Sequence, residues 1–203
     1  LPLQVYEKEQ ILDACLKVFA RHGYEKTSTA MLAEAAGISK ALIFHHFKNK
    51  KTLYFYVLDQ CFDMVRTALG IDHLPETGDF FEMKEKYSLM KLNFLLKNRD
   101  VYKLLIEAFK EPPSELKTDI YKKYGDLMLE RNQIWERLFE NVPLKEGADR
   151  GQAFELIMVT MEHFEKKFLA EVMDINDFDE DYHKQLLKER TRFLNMVRFG
   201  IEG

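Results

Sequence analysis

The side chains that could do chemistry are the natural place to begin, and few of them are spaced for catalysis or metal binding. His45 and His46 are adjacent, and on a helix adjacent side chains diverge by about 100°, so the pair is poorly placed to share an ion. His163 stands beside Glu162 and Glu165, but HExxH spacing is absent and both cysteines are distant, which favours an ordinary helix histidine. Cys15 and Cys61 lie 46 residues apart, each within an apolar helical stripe, as expected of buried thiols rather than a redox pair or a disulfide. The acidic run from Asp174 to Asp181 fails a calcium-loop template in either register. Counted from Asp174 the fifth position is Phe178, and counted from Asp177 the twelfth is Lys188. Those acids more simply favour the N-terminus of a following helix. No GxSxG, phosphate loop or dinucleotide fingerprint occurs. The expectation is therefore no catalytic residue, no metal and no cofactor, with an all-α enzyme as a distant alternative.

Gripping an anion is better supported. Lys48, Lys50 and Lys51 cluster at the expected start of a helix, where the macrodipole disfavours cations by a few tenths of a kcal/mol each. Helix stability alone would favour acids there, whereas exposed amides and ammonium groups together suit a phosphate. Residues 1–55 carry eight Lys/Arg against five acids, an excess of three on a chain whose formal net charge is −4.

Helices must position these groups. The chain has 203 residues, 46% hydrophobic and 13% aromatic, with nine Gly and five Pro, which argues for a folded, helix-rich protein with a substantial core. Apolar residues recur at helical spacing from Tyr6 to His22, and Gly23 supplies a stop. Thr27 or Ser28 can cap a short helix through Ala36, Ser39 caps a segment from Lys40 to Phe47, and Asn49 caps a fourth helix. Further helices are expected at about 79–97, 100–110, 114–140, 150–173 and 179–199, with no competing strand pattern. The fold class is all-α. No apolar run reaches the roughly 18 residues of a membrane span, and the N-terminus lacks a signal-peptide pattern, so a cytoplasmic location is expected.

Residues 28–47, STAMLAEAAGISKALIFHHF, have the anatomy of a helix-turn-helix. Ala33 is small where two helices approach, Gly37 stands where the turn needs a positive φ, and Ile38 and Ile43 are apolar where the second helix packs back. The run GYEKTSTAMLAEAAGISKALIFHHFKNKKTLYFYVL resembles the N-terminal domain of TetR-family transcriptional regulators over about 40 residues. The resemblance implies an N-terminal helix-turn-helix domain at 1–50 and a larger helical-bundle domain at 51–203 for effector binding and dimerisation. It implies a homodimer on a palindromic double-stranded DNA operator, with repression as the usual mode and a small hydrophobic effector. A protein partner in place of the small ligand is the alternative.

Carried over position by position, the resemblance places Thr27 and Ser28 on phosphate at the start of the second helix, and Lys40, Ala41 and Leu42, following Ser39, at base edges. His45, His46 and Lys50, with Lys48, would hold the backbone. Phe44 departs from the Tyr usual in the family, removing a hydroxyl commonly used on the DNA, and Met31 stands where a capping-box acid is common.

The C-terminal helices add two expectations. Phe154, Ile157, Met158, Met161, Phe164, Phe168 and Val172 form a broad stripe that one neighbouring helix would hardly cover, joined by Leu186, Phe193, Leu194 and Val197 on the last helix. An intersubunit four-helix bundle would use these faces. A ligand pocket is expected among Tyr87, Met90, Phe94, Phe109, Tyr124, Met128, Trp135 and Met161, types that offer adaptable apolar walls with a few polar tips.

Overall fold

The computed structural model describes residues 5–70, 77–174 and 180–203. The regular elements of the described residues are all helices: α1 (Val5–Lys26), α2 (Thr29–Ala35), α3 (Lys40–Phe47), α4 (Lys50–Leu69), α5 (Phe80–Lys97), α6 (Arg99–Phe109), α7 (Lys117–Glu140), α8 (Arg150–Asp174) and α9 (Glu180–Ile201). Among the described residues no helix is long and apolar enough to cross a membrane, and no group of three metal-ligating side chains converges. The acidic segment weighed for calcium lies largely outside the described residues.

Local chemistry sets the boundaries at the N-terminal end. Ser28 Oγ accepts from Met31 N at 3.2 Å, Ser39 Oγ from Leu42 N at 3.1 Å, and Asn49 Oδ1 from Thr52 N at 2.8 Å, so three successive helices carry side-chain N-caps. Gly37 turns the chain between α2 and α3 at φ 65°. Gly23 does not end α1 as the sequence suggests. It breaks the helix at φ 72°, ψ 165°, and the helical turn resumes as far as Lys26. That conformation is open essentially only to glycine.

The chain packs as two compact units, residues 1–73 with 93–129 and residues 74–92 with 130–203, so that the division falls within α5 and α7. In the first, Leu12, Cys15, Leu16 and Phe19 of α1 pack with Leu32, Ile43, Phe47, Leu53, Val57, Leu58 and Cys61, and with Val101 and Leu104 of α6. Burial pushes both thiols up to about 12, keeping Cys15 and Cys61 protonated and inert. In the second unit, Phe80, Tyr87, Trp135, Phe139, Ile157, Met161, Phe164, Phe168, Leu186 and Leu194 are buried. Arg150 closes the end of α7 there, donating to Phe139 O at 2.7 Å and Val142 O at 3.0 Å. This division is one of packing, and it does not coincide with the boundary at residue 50 that the resemblance implies.

Candidate nucleic-acid interface

The eight residues of α3 divide cleanly between core and surface. Ile43 and Phe47 are buried, while Lys40, Ala41, Leu42, Phe44 and His45 are exposed. Leu42 and Phe44 are 36% and 38% exposed, an unusual investment of apolar surface on a short helix. The buried pair anchors α3, and the Ser39 cap fixes its first turn. Lys40 Nζ lies 6.0 Å from the Phe44 ring centroid, and the His45 and His46 rings meet edge to face at 4.9 Å. The divergence of the two histidines on the helix leaves His45 exposed and His46 half-buried.

Around α3 the expected backbone contacts have different fates. Ser28 is exposed at the α2 cap, but Thr27 is 2% exposed and its hydroxyl donates to Gly23 O at 2.6 Å. Thr27 therefore shapes the turn into α2 rather than presenting a hydroxyl to a phosphate. Lys48 is exposed at φ 63°. Lys50 turns inward: Nζ donates to Tyr24 O at 2.9 Å and Thr27 O at 3.1 Å, over the Tyr24 ring at 4.1 Å. Two of its three ammonium donors are thus spent on main-chain carbonyls. Lys51 pairs with Asp119 at 2.7 Å. Of the three lysines, Lys48 presents its charge most openly.

A carboxylate completes this junction. Glu107 on α6 accepts from Tyr24 N at 2.7 Å and from the Tyr54 hydroxyl at 3.0 Å, tying α6 to the end of α1 and to α4. Burial and this carboxylate together push the Tyr54 phenol far above its ordinary range. Neither Glu107 nor the inward turn of Lys50 was read from the sequence, because each depends on partners distant along the chain.

The expected ligand residues fall in both units. In the first, Tyr124 is buried, stacks on Phe62 with centroids 4.5 Å apart, meets Phe109 at 5.8 Å and donates to Asp59 Oδ1 at 2.8 Å, so its polar tip is used in the core. Phe94 packs against that core, and Met128 is half-buried. In the second unit, the Tyr87 and Trp135 rings meet at 5.1 Å, Met161 is buried and Met90 is exposed. Of the expected dimer residues, Ile157, Phe164, Phe168 and Leu194 are buried within the subunit, Phe154, Met158 and Val197 are half-buried, and Phe193 is exposed. Among the described side chains, the large apolar ones left at the surface of α8 and α9 are Leu156, Val159, Phe193, Met196 and Phe199, and Val172 lies outside them. Four of these five were not anticipated, although their spacing of three residues along each helix is visible in the sequence.

A capped helix-turn-helix with an exposed second helix, within described residues whose named elements are all helices, is the architecture of a DNA-binding transcriptional regulator. The sequence model of the family described as "Bacterial regulatory proteins, tetR family" matches residues 11–57, the helix-turn-helix and the helices that flank it. The chain is 22% identical over 190 residues to the biofilm operon icaADBC HTH-type negative transcriptional regulator IcaR of Staphylococcus aureus, covering 88% of this chain and 96% of that protein. The HTH-type transcriptional repressor Rv1474c of Mycobacterium tuberculosis is 44% identical over 48 residues, 24% of this chain and 26% of that one. In fold, the chain is similar to MexZ, a repressor responsible for antibiotic resistance in Pseudomonas aeruginosa, with TM-score 0.71, 17% identity and 96% of each chain covered.

Proposed function

We propose that the protein is a cytoplasmic homodimeric repressor that reads a palindromic operator with α3 and is released by a small, largely apolar effector. Residues 1–50 meet the DNA, and residues 51–203 dimerise and bind the effector. The observation that carries this reading is the division of α3, which spends Ile43 and Phe47 on the core and leaves Lys40, Ala41, Leu42, Phe44 and His45 at the surface. An eight-residue helix anchored on one side and capped at its start is a rigid probe for the major groove, whose base edges its N-terminal residues would read. Ser28, Lys48 and His46 hold the backbone, and Lys50 holds the shape of the junction behind them.

Repression is supported by the names of relatives that cover nearly the whole chain, and dimerisation by the apolar face of α8 and α9 at Leu156, Val159, Phe193, Met196 and Phe199. Effector binding favours a subunit arrangement in which the two recognition helices no longer match successive major grooves. It must then weaken DNA affinity by the factor with which DNA weakens effector affinity.

Titration of a selected operator and a scrambled duplex with wild type, Leu42→Ala and Lys40→Ala tests the reading. Loss of a base contact costs about 1–3 kcal/mol on the operator and little on the scrambled duplex. Equal losses on both duplexes would show that α3 is not the reading element.

A further inference from the structure

One face of α5 in the second unit gathers positive charge. Lys84, Ser88 and Lys91 fall on successive turns of that face, with Tyr87 beside them. Lys91 is paired with Glu165 of α8 at 2.6 Å. Lys84 is 8% exposed, with Nζ 4.1 Å from the centroid of the Trp135 ring of α7.

Arg190 reaches the same helix from α9. It is 2% exposed and its Nη1 donates to Ser88 Oγ at 2.9 Å. Its Nε and Nη2 are buried without a hydrogen-bond partner. Glu85 forms a long ion pair with Arg190, Oε1 lying 3.5 Å from Nη2, and that same oxygen takes the Thr191 hydroxyl at 2.8 Å, so the carboxylate is shared. Buried donors left unmet are costly, and on a guanidinium they are especially so. Nε and Nη2 share one edge of the guanidinium, the fork that a carboxylate accepts with both oxygens. Next to Lys84, the Trp135 ring and the Tyr87 ring it meets at 5.1 Å supply apolar surface.

We infer that the second unit binds a small amphiphilic carboxylate, its head on the Nε and Nη2 edge of Arg190 with Lys84 as second cation, its apolar part along Trp135 and Tyr87. The inference rests on the reading of residues 51–203 as effector-binding and narrows it, because a wholly apolar effector would leave Nε and Nη2 of Arg190 without a hydrogen-bond acceptor. Glu85 competes with the incoming head for Arg190.

Calorimetry on the full chain, with two probe pairs matched in everything but the head, tests it: dodecanoate against dodecanol, and 4-phenylbutyrate against 4-phenylbutanol. At least one carboxylate should bind about tenfold or more tightly than its alcohol, the scale of a charged hydrogen bond. That preference should vanish in Arg190→Gln, shrink in Lys84→Met and grow in Glu85→Gln. Should Arg190→Gln fail to fold, the opposite responses of Lys84→Met and Glu85→Gln still decide. Equal binding of acid and alcohol, binding of neither acid, or a preference untouched by Lys84→Met and Glu85→Gln would overturn the inference. Operator titration separates this from the reading it rests on. A carboxylate that binds without changing operator affinity keeps the site and removes its effector role. Release by a neutral ligand, with carboxylates binding no better, keeps the effector reading and removes the carboxylate site.

Discussion

Lys48 and Lys50 stand two residues apart, yet the fold gives their charges different work. Lys48→Ala should leave the melting temperature near wild type and lower the slope of log affinity against log salt by about one unit, as for one lost phosphate contact. Lys50→Met strips a charged donor from Tyr24 O and Thr27 O and should cost on the order of 1–3 kcal/mol in stability. Denaturant melts beside salt-dependent binding check both, and an unchanged melt for Lys50→Met with a reduced salt slope would return that lysine to the phosphate backbone. Lys84 gives a pH signature. Burial, with Arg131 and Lys91 adding repulsion against the pull of Glu165, lowers it from 10.5 to about 7. Between those values the unfolded chain binds more protons than the folded one, so this residue makes stability rise with pH across that window, and its cost is fully present below about 7. The difference in unfolding free energy between wild type and Lys84→Met should shift in favour of wild type from pH 7 to 10, and a flat difference would contradict the burial of a titrating amine. The caps Ser28, Ser39 and Asn49 were legible because each bonds a backbone amide three residues on. The internal use of Lys50, Glu107 and Arg190 was not, because their partners lie 23 to 102 residues away.

Among the elements, α1 shows how a break can be part of the design. Gly23 stands at φ 72°, and a Cβ there would come within 2.8 Å of Glu107 Oε1, the oxygen that holds Tyr24 N at 2.7 Å. Gly23→Ala meets both the backbone conformation and the carboxylate, and should destabilise by about 1–3 kcal/mol. Thermal unfolding reads it, and a variant as stable as wild type would show that the junction relaxes freely. Helix number, order and approximate bounds were legible from apolar periodicity and from Gly, Pro and cap residues. The expected start of α7 at 114 moves to Lys117, after Pro113 O has taken the amides of Leu116 and Lys117 at 2.9 and 3.0 Å. What periodicity could not decide was which side of α8 and α9 is spent inside the subunit. Ile157, Phe164, Phe168 and Leu194 go to the core, while Leu156, Val159, Met196 and Phe199 stay outside, since a stripe shows that a face is apolar without showing what covers it.

At the scale of the molecule, the proposed dimer would form on the exposed apolar face of α8 and α9. Phe199 is 67% and Met196 61% exposed on α9, a cost that a monomer would have little reason to bear. Met196→Glu combined with Phe199→Glu should yield a monomer by light scattering at micromolar concentration and a sharp loss of operator affinity, because one subunit then contacts one half-site. A double variant that stays dimeric would place the subunit interface elsewhere. The central claim, that a pair of α3 helices reads a symmetric site, is tested most directly by selecting bound sequences from a pool of random duplexes with the wild-type chain. An inverted repeat should be enriched, its half-site centres separated by whole turns of the double helix, about 10 base pairs or a multiple of it, with the enriched bases changing in Leu42→Ala. Enrichment of no sequence, or of a single asymmetric site unaffected by Leu42→Ala, would contradict it.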